Sequence, residues 1–267
     1  MPYIDRRLRT QPGLLEPSET GLSMPCDVAK TVQPDFFSGR NRWRGMLGGA
    51  LPVREFEMRI KVLSRSEVES GAAEGADAVI SIRGSAGASE PELATALVQA
   101  TRGESARLLK LSFDDIGMPE YGHFLGPTMA QIADAIAFGR SIVDGQHLFD
   151  GPSAEPPLIA IHCEHGKSRS AAVALALLAD HFGVGRERDA VNALMRTDIE
   201  NRMHPNPLIV SLADSCLFRY GRIDAALVDL SPRYVRWRDL WRKIATDPDA
   251  YWDQAVRVLS PPRRRTD

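Results

Sequence analysis

The alternation of apolar and polar residues first becomes regular at residues 58–63, where Met58, Ile60 and Val62 are separated by polar side chains. A period of two is the side-chain period of a β-strand, so this segment is predicted to be a strand. Three further apolar segments predict strands at residues 78–82, 107–113 and 158–161. The last is fully apolar, which indicates a central strand of a parallel sheet with both faces covered.

Apolar residues at helical spacing predict the helices between these strands. Ser89 and Glu92 resemble a capping box at the start of the first predicted helix. Its apolar face is formed by Leu93, Ala96, Leu97 and Ala100.

Three more helices are predicted at residues 127–143, 170–181 and 186–196. The helix at 170–181 is almost wholly apolar and is therefore expected to be buried, with Gly183 and Gly185 ending it. The apolar face of the helix at 127–143 is predicted to consist of Met129, Ile132, Ala133 and Ile136. Strands that alternate with helices indicate an α/β fold with a mainly parallel central sheet flanked by helices.

The pattern also divides the chain into three parts. Residues 1–54 contain repeated prolines that interrupt any helix and are predicted to be an irregular extension. Residues 55–220 are predicted to form the α/β domain, and residues 221–267 a helical extension rich in arginine, tryptophan and tyrosine. Such an extension is expected to pack its aromatic side chains on the domain. Docking to a membrane is the less favoured alternative.

Composition narrows the functional classes. A formal net charge of −2 gives no electrostatic reason to expect nucleic-acid binding over the whole molecule. The three cysteines lack the paired spacing of a disulfide framework or a zinc site. With no recognisable signal peptide and no apolar run long enough to cross a bilayer, we expect a cytoplasmic protein.

The segment at residues 161–170, Ile-His-Cys-Glu-His-Gly-Lys-Ser-Arg-Ser, lies between the predicted central strand and the buried helix. A loop in this position directs backbone N–H groups and the positive end of a helix into one cup, which suits a phosphate group. The same surroundings favour the thiolate form of Cys163, and the thiolate is the nucleophilic form. Arg169 can bind two phosphate oxygens with its planar fork. Gly166 permits a tight loop, and Ser170 can donate a hydrogen bond to the sulfur.

This segment resembles the signature of the protein tyrosine phosphatase superfamily: His-Cys, two residues, Gly, two residues, Arg, then Ser or Thr. All five fixed positions are filled, by His162, Cys163, Gly166, Arg169 and Ser170. The resemblance implies a phosphomonoester hydrolase that works through a phosphocysteine intermediate and needs no metal or other cofactor.

Two further segments resemble the dual-specificity branch, including its bacterial members. In that branch the general acid is an aspartate that ends a strand of alternating apolar residues, and residues 111–115 place Asp115 in this position. Asp114 competes with it, either as the acid or as a turn residue. Asp115 precedes Cys163 by 48 residues, more than is usual in the family. The surplus is expected to form loops at residues 116–126 and 144–157. Asn206, after Pro205, resembles the Pro-Asn pair of the branch.

The remaining loop residues, Glu164, His165, Lys167 and Ser168, are expected to line the substrate pocket together with Gly166 and Arg169. His162 and His165 lack the further ligands of a metal site, so no metal is predicted. His162 is expected to orient the loop by hydrogen bonding. The non-catalytic alternative for Cys163 is a buried structural thiol.

The predicted substrate is a phosphorylated protein or a small phosphomonoester. A basic residue such as Lys167 is also found in phosphatases of this superfamily that act on inositol phosphates or phosphoinositides, and a glutamate after the cysteine in bacterial cysteine phytases. The same chemistry on such substrates is the first alternative. A phosphate-binding module without catalysis and a rhodanese-like sulfurtransferase are the others.

Overall fold

The computed structural model describes residues 58–87, 90–149 and 155–252. The strands of this part of the chain are β1 (Arg59–Ser64), β2 (Ala78–Arg83), β3 (Leu108–Ser112), β4 (Glu120–Tyr121), β5 (Phe124–Leu125) and β6 (Leu158–Cys163). The helices are α1 (Arg65–Glu69), α2 (Pro91–Ala100), α3 (Met129–Phe149), α4 (Arg169–Phe182), α5 (Glu187–Thr197), α6 (Pro207–Cys216), α7 (Arg222–Leu230) and α8 (Pro232–Thr246).

The main sheet has four parallel strands in the order β1-β6-β2-β3, which confirms the predicted α/β class. The fully apolar β6 lies inside the sheet, between β1 and β2, as its sequence predicts. Because all four strands run the same way, their carboxyl ends meet at one edge. There Ser64 pairs in register with Cys163, and Arg83 with Ser112.

Helices cover both faces of the sheet. The face formed by residues such as Val79 and Ala160 packs against α1 and α2. The helix α2 buries Leu93, Ala96, Leu97 and Ala100, the four residues predicted from their spacing. The other face, which includes Ile161 and Cys163, packs against α3 and α4, with α5, α6 and α7 in the same core. The sheet is therefore the middle of three layers.

The helix α4 directly after β6 is the most deeply buried element of the core, with residues 169–179 all buried. Its alanines and leucines fit between the sheet and the surrounding helices, so it needs no polar face. The helix ends at Gly183, whose positive φ of 87° suits glycine. This burial fixes the position of the first turn of α4, which follows the candidate loop.

The predicted apolar face of α3 was wrong at two positions. Met129 and Ala133 are exposed, and the buried face is formed by Ile132, Ala135 and Ile136. The face is set by close packing on α4, because a Cβ added to Gly139 would lie only 3.0 Å from Leu177 Cδ2. A small residue at the contact therefore decides the rotation of the helix more than the largest apolar side chain does.

The extra residues between Asp115 and Cys163 are only partly loop. Residues 116–126 contain the small antiparallel hairpin β4–β5. Residues 144–149, which were expected to be loop, continue α3. The long spacing thus contains a hairpin and additional helical turns, which leaves the ends of β3 and β6 at the same edge of the sheet.

The helices α7 and α8 lie in the predicted C-terminal extension. Tyr234 and Trp241 of α8 are buried, Tyr234 in the main core and Trp241 in a smaller cluster with Ile116 and Met118. The aromatic side chains thus pack on the domain, as expected for the favoured interpretation of this segment. Among the described residues, no helix has both the length and the apolar character needed to cross a membrane.

Several predictions lie outside the described residues: the irregular extension at 1–54, Ser89 of the predicted capping box, and the chain beyond residue 252. The helix α2 begins at Pro91, with Glu90 in the N-cap position and no side-chain capping bond.

Candidate active site

The candidate loop leaves the sheet at Cys163, the last residue of β6, and enters α4 at Arg169. Residues 164–168 between them form a continuous bend. The side chain of Ser168, in the N-cap position of α4, makes no capping bond to the helix. The first N–H groups of α4 are therefore left without a side-chain acceptor, which is the arrangement of an anion-binding helix start.

The hydrogen bonding of the loop backbone also suits an anion. The N–H groups of residues 164–168 donate to no acceptor in the described part of the chain. Three carbonyls of the loop accept hydrogen bonds from outside it: Glu164 from Arg65 N at 3.3 Å, Lys167 from His204 N at 2.9 Å and Ser168 from Asn206 N at 3.3 Å. Carbonyls that are held outwards leave the amides for a ligand, as an anion-binding ring of amides requires.

Gly166 is required at its position for two reasons. Its φ of 66° lies in the left-handed region that favours glycine. A Cβ added there would also lie 2.7 Å from Ser64 N and 2.8 Å from Leu63 C. The loop therefore folds against the end of β1 at a distance that only glycine permits.

The thiol of Cys163 is buried, and its Sγ lies 3.1 Å from Ser170 Oγ. Ser170 belongs to the first turn of α4 and is itself fully buried. The contact places a hydroxyl donor on the sulfur, where it can stabilise a thiolate.

Arg169 is buried at the same place, with only 7% of its surface exposed. Its Nη1 donates to the carbonyl of Phe113 at 3.0 Å, which fixes the guanidinium against the segment after β3. Its Nε is buried and has no acceptor among the described residues. A buried, unsatisfied N–H of a permanent cation is costly unless an anion accepts from it.

Asp115 lies beside the loop. Its Oδ1 accepts from Ser168 Oγ at 2.7 Å and from Asn206 Nδ2 at 2.9 Å. Its Oδ2 takes no hydrogen bond from the described residues. The carboxyl group is thus fixed through one oxygen, and the other is left for a proton.

The carboxylate of Asp114 accepts its hydrogen bonds from residues outside the loop. Its Oδ1 accepts from Ser85 N at 3.2 Å, and its Oδ2 accepts from Ser85 Oγ and from Leu125 N at 2.9 Å. These bonds connect the segment after β2 with the β4–β5 hairpin. Of the two neighbouring aspartates, Asp115 contacts the loop and Asp114 stabilises the turn, as alternation along an extended chain would give.

Asn206 joins three parts of the site. Its Oδ1 accepts from the N–H groups of Leu208 and Ile209 at the start of α6. Its Nδ2 donates to Asp115 Oδ1 and, at 3.0 Å, to the carbonyl of Ile116. With the backbone bond to Ser168, this fully buried side chain holds the segment of Asp115 against the loop.

The orienting hydrogen bond expected of His162 is not formed with ordinary geometry. The ring is buried, and neither nitrogen has a partner within ordinary hydrogen-bond limits among the described residues. Burial, with the positive charges of Arg169, Arg83 and Arg65, lowers the pKa of His162 to about 4, although the backbone of Cys163 beside the ring acts to raise it. The ring is therefore neutral at neutral pH.

The other predicted pocket residues differ in exposure. Glu164 and His165 are exposed, Lys167 is half-buried and Ser168 is buried. Among the described residues no three histidine, cysteine or carboxylate side chains are grouped as metal ligands would be.

Two contributions to the site were not foreseen. The carbonyl of Phe113 holds Arg169, and no side-chain pattern in the sequence indicates a backbone acceptor. Ser168 was expected to line the pocket, whereas its hydroxyl donates to Asp115. Both contacts join segments that are more than fifty residues apart in the chain.

A separate groove of about 600 Å³ lies between α6, α7 and α8. It is lined by Asp214, among others, and burial raises the pKa of this carboxyl. Neither Cys163 nor Arg169 lines the groove, so it is not the phosphate cup.

No protein-family model and no curated protein matches the chain. Three solved structures of the protein tyrosine and dual-specificity phosphatase family are similar to it. Tk-PTP in its active form is 16% identical, with a TM-score of 0.38 over 61% of this chain and 95% of that one. PTPMT1 in complex with PI(5)P is 16% identical, with a TM-score of 0.39 over 62% and 95%. Human DUSP28 is 17% identical, with a TM-score of 0.36 over 62% and 96%. At these identities and TM-scores the likeness carries no argument about activity, which has to rest on the geometry of the loop.

Proposed function

We propose that the protein hydrolyses phosphomonoesters through a phosphocysteine intermediate on Cys163. The observation that carries the proposal is the incomplete hydrogen bonding of the buried Arg169. Its Nη1 is fixed to Phe113, while its buried Nε has no acceptor among the described residues. A phosphate dianion held by the amides of residues 164–168 would accept from this Nε. The loop, the start of α4 and the arginine thus favour the same ligand.

In the first step, the Cys163 thiolate attacks phosphorus in line with the leaving oxygen. A sulfur–phosphorus bond forms as the ester oxygen–phosphorus bond breaks. The loop amides and Arg169 stabilise the negative charge on the three other phosphate oxygens. Ser170 Oγ lies 3.1 Å from the sulfur, where its hydroxyl can donate a hydrogen bond to the attacking thiolate.

Asp115 is proposed to protonate the leaving oxygen. Ser168 and Asn206 both donate to its Oδ1, so the proton is carried on Oδ2. In the second step, the same carboxylate accepts a proton from water, which attacks phosphorus and releases inorganic phosphate. Ser170 then donates to the departing sulfur, and the thiolate is regenerated.

Release of inorganic phosphate from phosphotyrosine tests this function directly. We expect turnover that is inhibited by vanadate and unaffected by a metal chelator. A protein that transfers sulfur from thiosulfate and releases no phosphate from any ester would instead be a sulfurtransferase. A protein that binds phosphate without turnover would be a binding module.

The Asp115→Asn variant is expected to lower kcat on phosphotyrosine by about 10²–10⁴-fold, because an amide has no proton to give the leaving oxygen. The loss should be much smaller for para-nitrophenyl phosphate, whose leaving group departs without protonation. Steady-state kinetics on both esters measure the difference.

The neighbouring Asp114→Asn variant is the matched control. It weakens the bonds to Ser85 and Leu125, so we expect a loss of about 1–3 kcal/mol in the free energy of unfolding. Its kcat should stay within about threefold of the wild type, since Asp114 does not contact the loop. Equal losses of kcat in the two variants, or a larger loss in Asp114→Asn, would show that Asp115 is not the general acid.

A further inference from the structure

His204 connects the phosphate loop to the C-terminal helix α8. Its backbone N–H donates to the carbonyl of Lys167 at 2.9 Å. Its ring meets the ring of Trp237 edge-on, with the centroids 4.7 Å apart. The face of α8 that carries Trp237 therefore lies close to the Lys167 side of the loop.

Arg233 lies on the same face of α8, because it precedes Trp237 by four residues, about one helical turn. Arg233 is half-buried, and its Nε is buried with no acceptor among the described residues. The buried Nε1 of Trp237 also has no acceptor there. Two adjacent side chains on one helix face thus carry buried donors that have no protein acceptor among the described residues.

The charges around His204 agree with this arrangement. Burial lowers the pKa of His204, the carbonyl of Arg202 and the charge of Asp115 act to raise it, and Arg233 and Lys167 act to lower it. The charges of Arg233 and Lys167 thus both act on this ring. Asp115 is bound to Ser168 and Asn206, and it forms no ion pair with either cation.

Ion pairs occupy two of the other arginines of α8, whereas the half-buried Arg233 and the exposed Arg236 have none among the described residues. Arg238 pairs with Asp224 at 2.9 Å, and Arg242 lies 3.8 Å from Asp239. Within the described part of the chain neither Arg233 nor Lys167 has a carboxylate within ion-pair distance. Two cations without a carboxylate partner, one in the loop and one on the helix that lies close to it, favour an external anion.

Building on the proposed function, we propose that Arg233 and Lys167 form a second anion subsite beside the phosphate loop. Its ligand is a phosphate or carboxylate group of the substrate that lies next to the phosphate being hydrolysed. The enzyme should accordingly prefer substrates with two anionic groups on one small scaffold. Trp237 and His204 form the aromatic wall of the subsite, and Arg233 determines the specificity.

The test compares three esters: phenyl phosphate, 3-carboxyphenyl phosphate and benzene-1,3-bisphosphate. The measured quantity is the ratio of kcat/KM for each doubly anionic ester to that for phenyl phosphate. The Arg233→Gln variant, which keeps a hydrogen-bonding side chain but loses the charge, should lower this ratio about tenfold. If Arg233→Gln lowers the ratio for both doubly anionic esters, the subsite accepts anions in general. If it lowers the ratio for the bisphosphate alone, the subsite is specific for phosphate.

Arg242→Gln is the matched control. Arg242 follows Arg233 by nine residues, which turns it to the opposite side of α8, and its side chain is 64% exposed. This variant should keep the wild-type ratio. A ratio unchanged in Arg233→Gln, or the same loss of kcat/KM for all three esters, would overturn the subsite while phenyl phosphate turnover still supports the phosphatase. A wild-type protein that hydrolyses none of the esters would overturn both.

Discussion

The Cys163→Ser variant is expected to release no phosphate above background, a loss of at least about 10⁵-fold in kcat. A serine hydroxyl at this position is a much weaker nucleophile than a thiolate, and the side chain that contacts residue 163 is Ser170, which is not a base. The amides of residues 164–168 and Arg169 remain in place. Binding of inorganic phosphate or vanadate, measured by calorimetry, should therefore survive the substitution.

Cys216→Ser is the control for this experiment. Cys216 ends α6, is half-buried, and its Sγ lies 3.7 Å from the carbonyl of Met129. It is distant from the loop in structure and in role, so turnover should remain that of the wild type. Phosphatase activity of Cys163→Ser beyond a trace, in a preparation free of other phosphatases, would show that another residue is the nucleophile.

The Arg169→Lys variant is expected to lose about 10³–10⁵-fold in kcat although it keeps the positive charge. Arg169 performs two tasks with different nitrogens. Nη1 binds the carbonyl of Phe113, and Nε is available to the phosphate. A single ammonium group cannot do both, so lysine would leave either the phosphate oxygens or the Phe113 carbonyl without a donor. The measurement is kcat at saturating phosphotyrosine, with vanadate affinity as a second readout.

Arg219→Lys separates this effect from the general cost of altering a buried arginine. Arg219 is also buried, and its Nη2 donates to the carbonyl of Ala179 at 3.0 Å. Its substitution should lower the free energy of unfolding by about 1–3 kcal/mol. It should leave kcat within about twofold, because Arg219 contacts the C-terminal end of α4, whereas the loop precedes the N-terminal end. Similar kcat losses in the two variants would mean that Arg169 acts only through stability.

The parts of the fold that the sequence predicts are those set by local burial. The strand β6 and the helix α4 consist almost wholly of apolar residues, so their central positions follow from composition alone. The rotation of α3 could not be predicted in this way. It depends on the close approach of Gly139 to Leu177, a contact between residues distant in the chain.

The same distinction applies to the site. Cys163, Gly166 and Arg169 could be predicted because they lie in one short loop whose spacing brings them together. The resemblance already favoured Asp115 over Asp114, but their different surroundings depend on tertiary contacts with Ser168, Asn206 and Ser85 that the sequence does not indicate. The burial of His162 without a hydrogen bond of ordinary geometry could not be predicted either, because it depends on which groups surround the ring in the folded core.

Identification of the covalent intermediate is the decisive experiment for the proposed mechanism. The protein is mixed with a phosphorus-labelled aryl phosphate and quenched in acid within milliseconds, and the labelled peptide is then mapped. We expect phosphate bound to the sulfur of Cys163, formed and lost at rates compatible with kcat. Asp115→Asn should accumulate more of it, since the same residue activates the water that removes it. Label on another residue such as His165, or turnover with no covalent phosphate, would contradict the account.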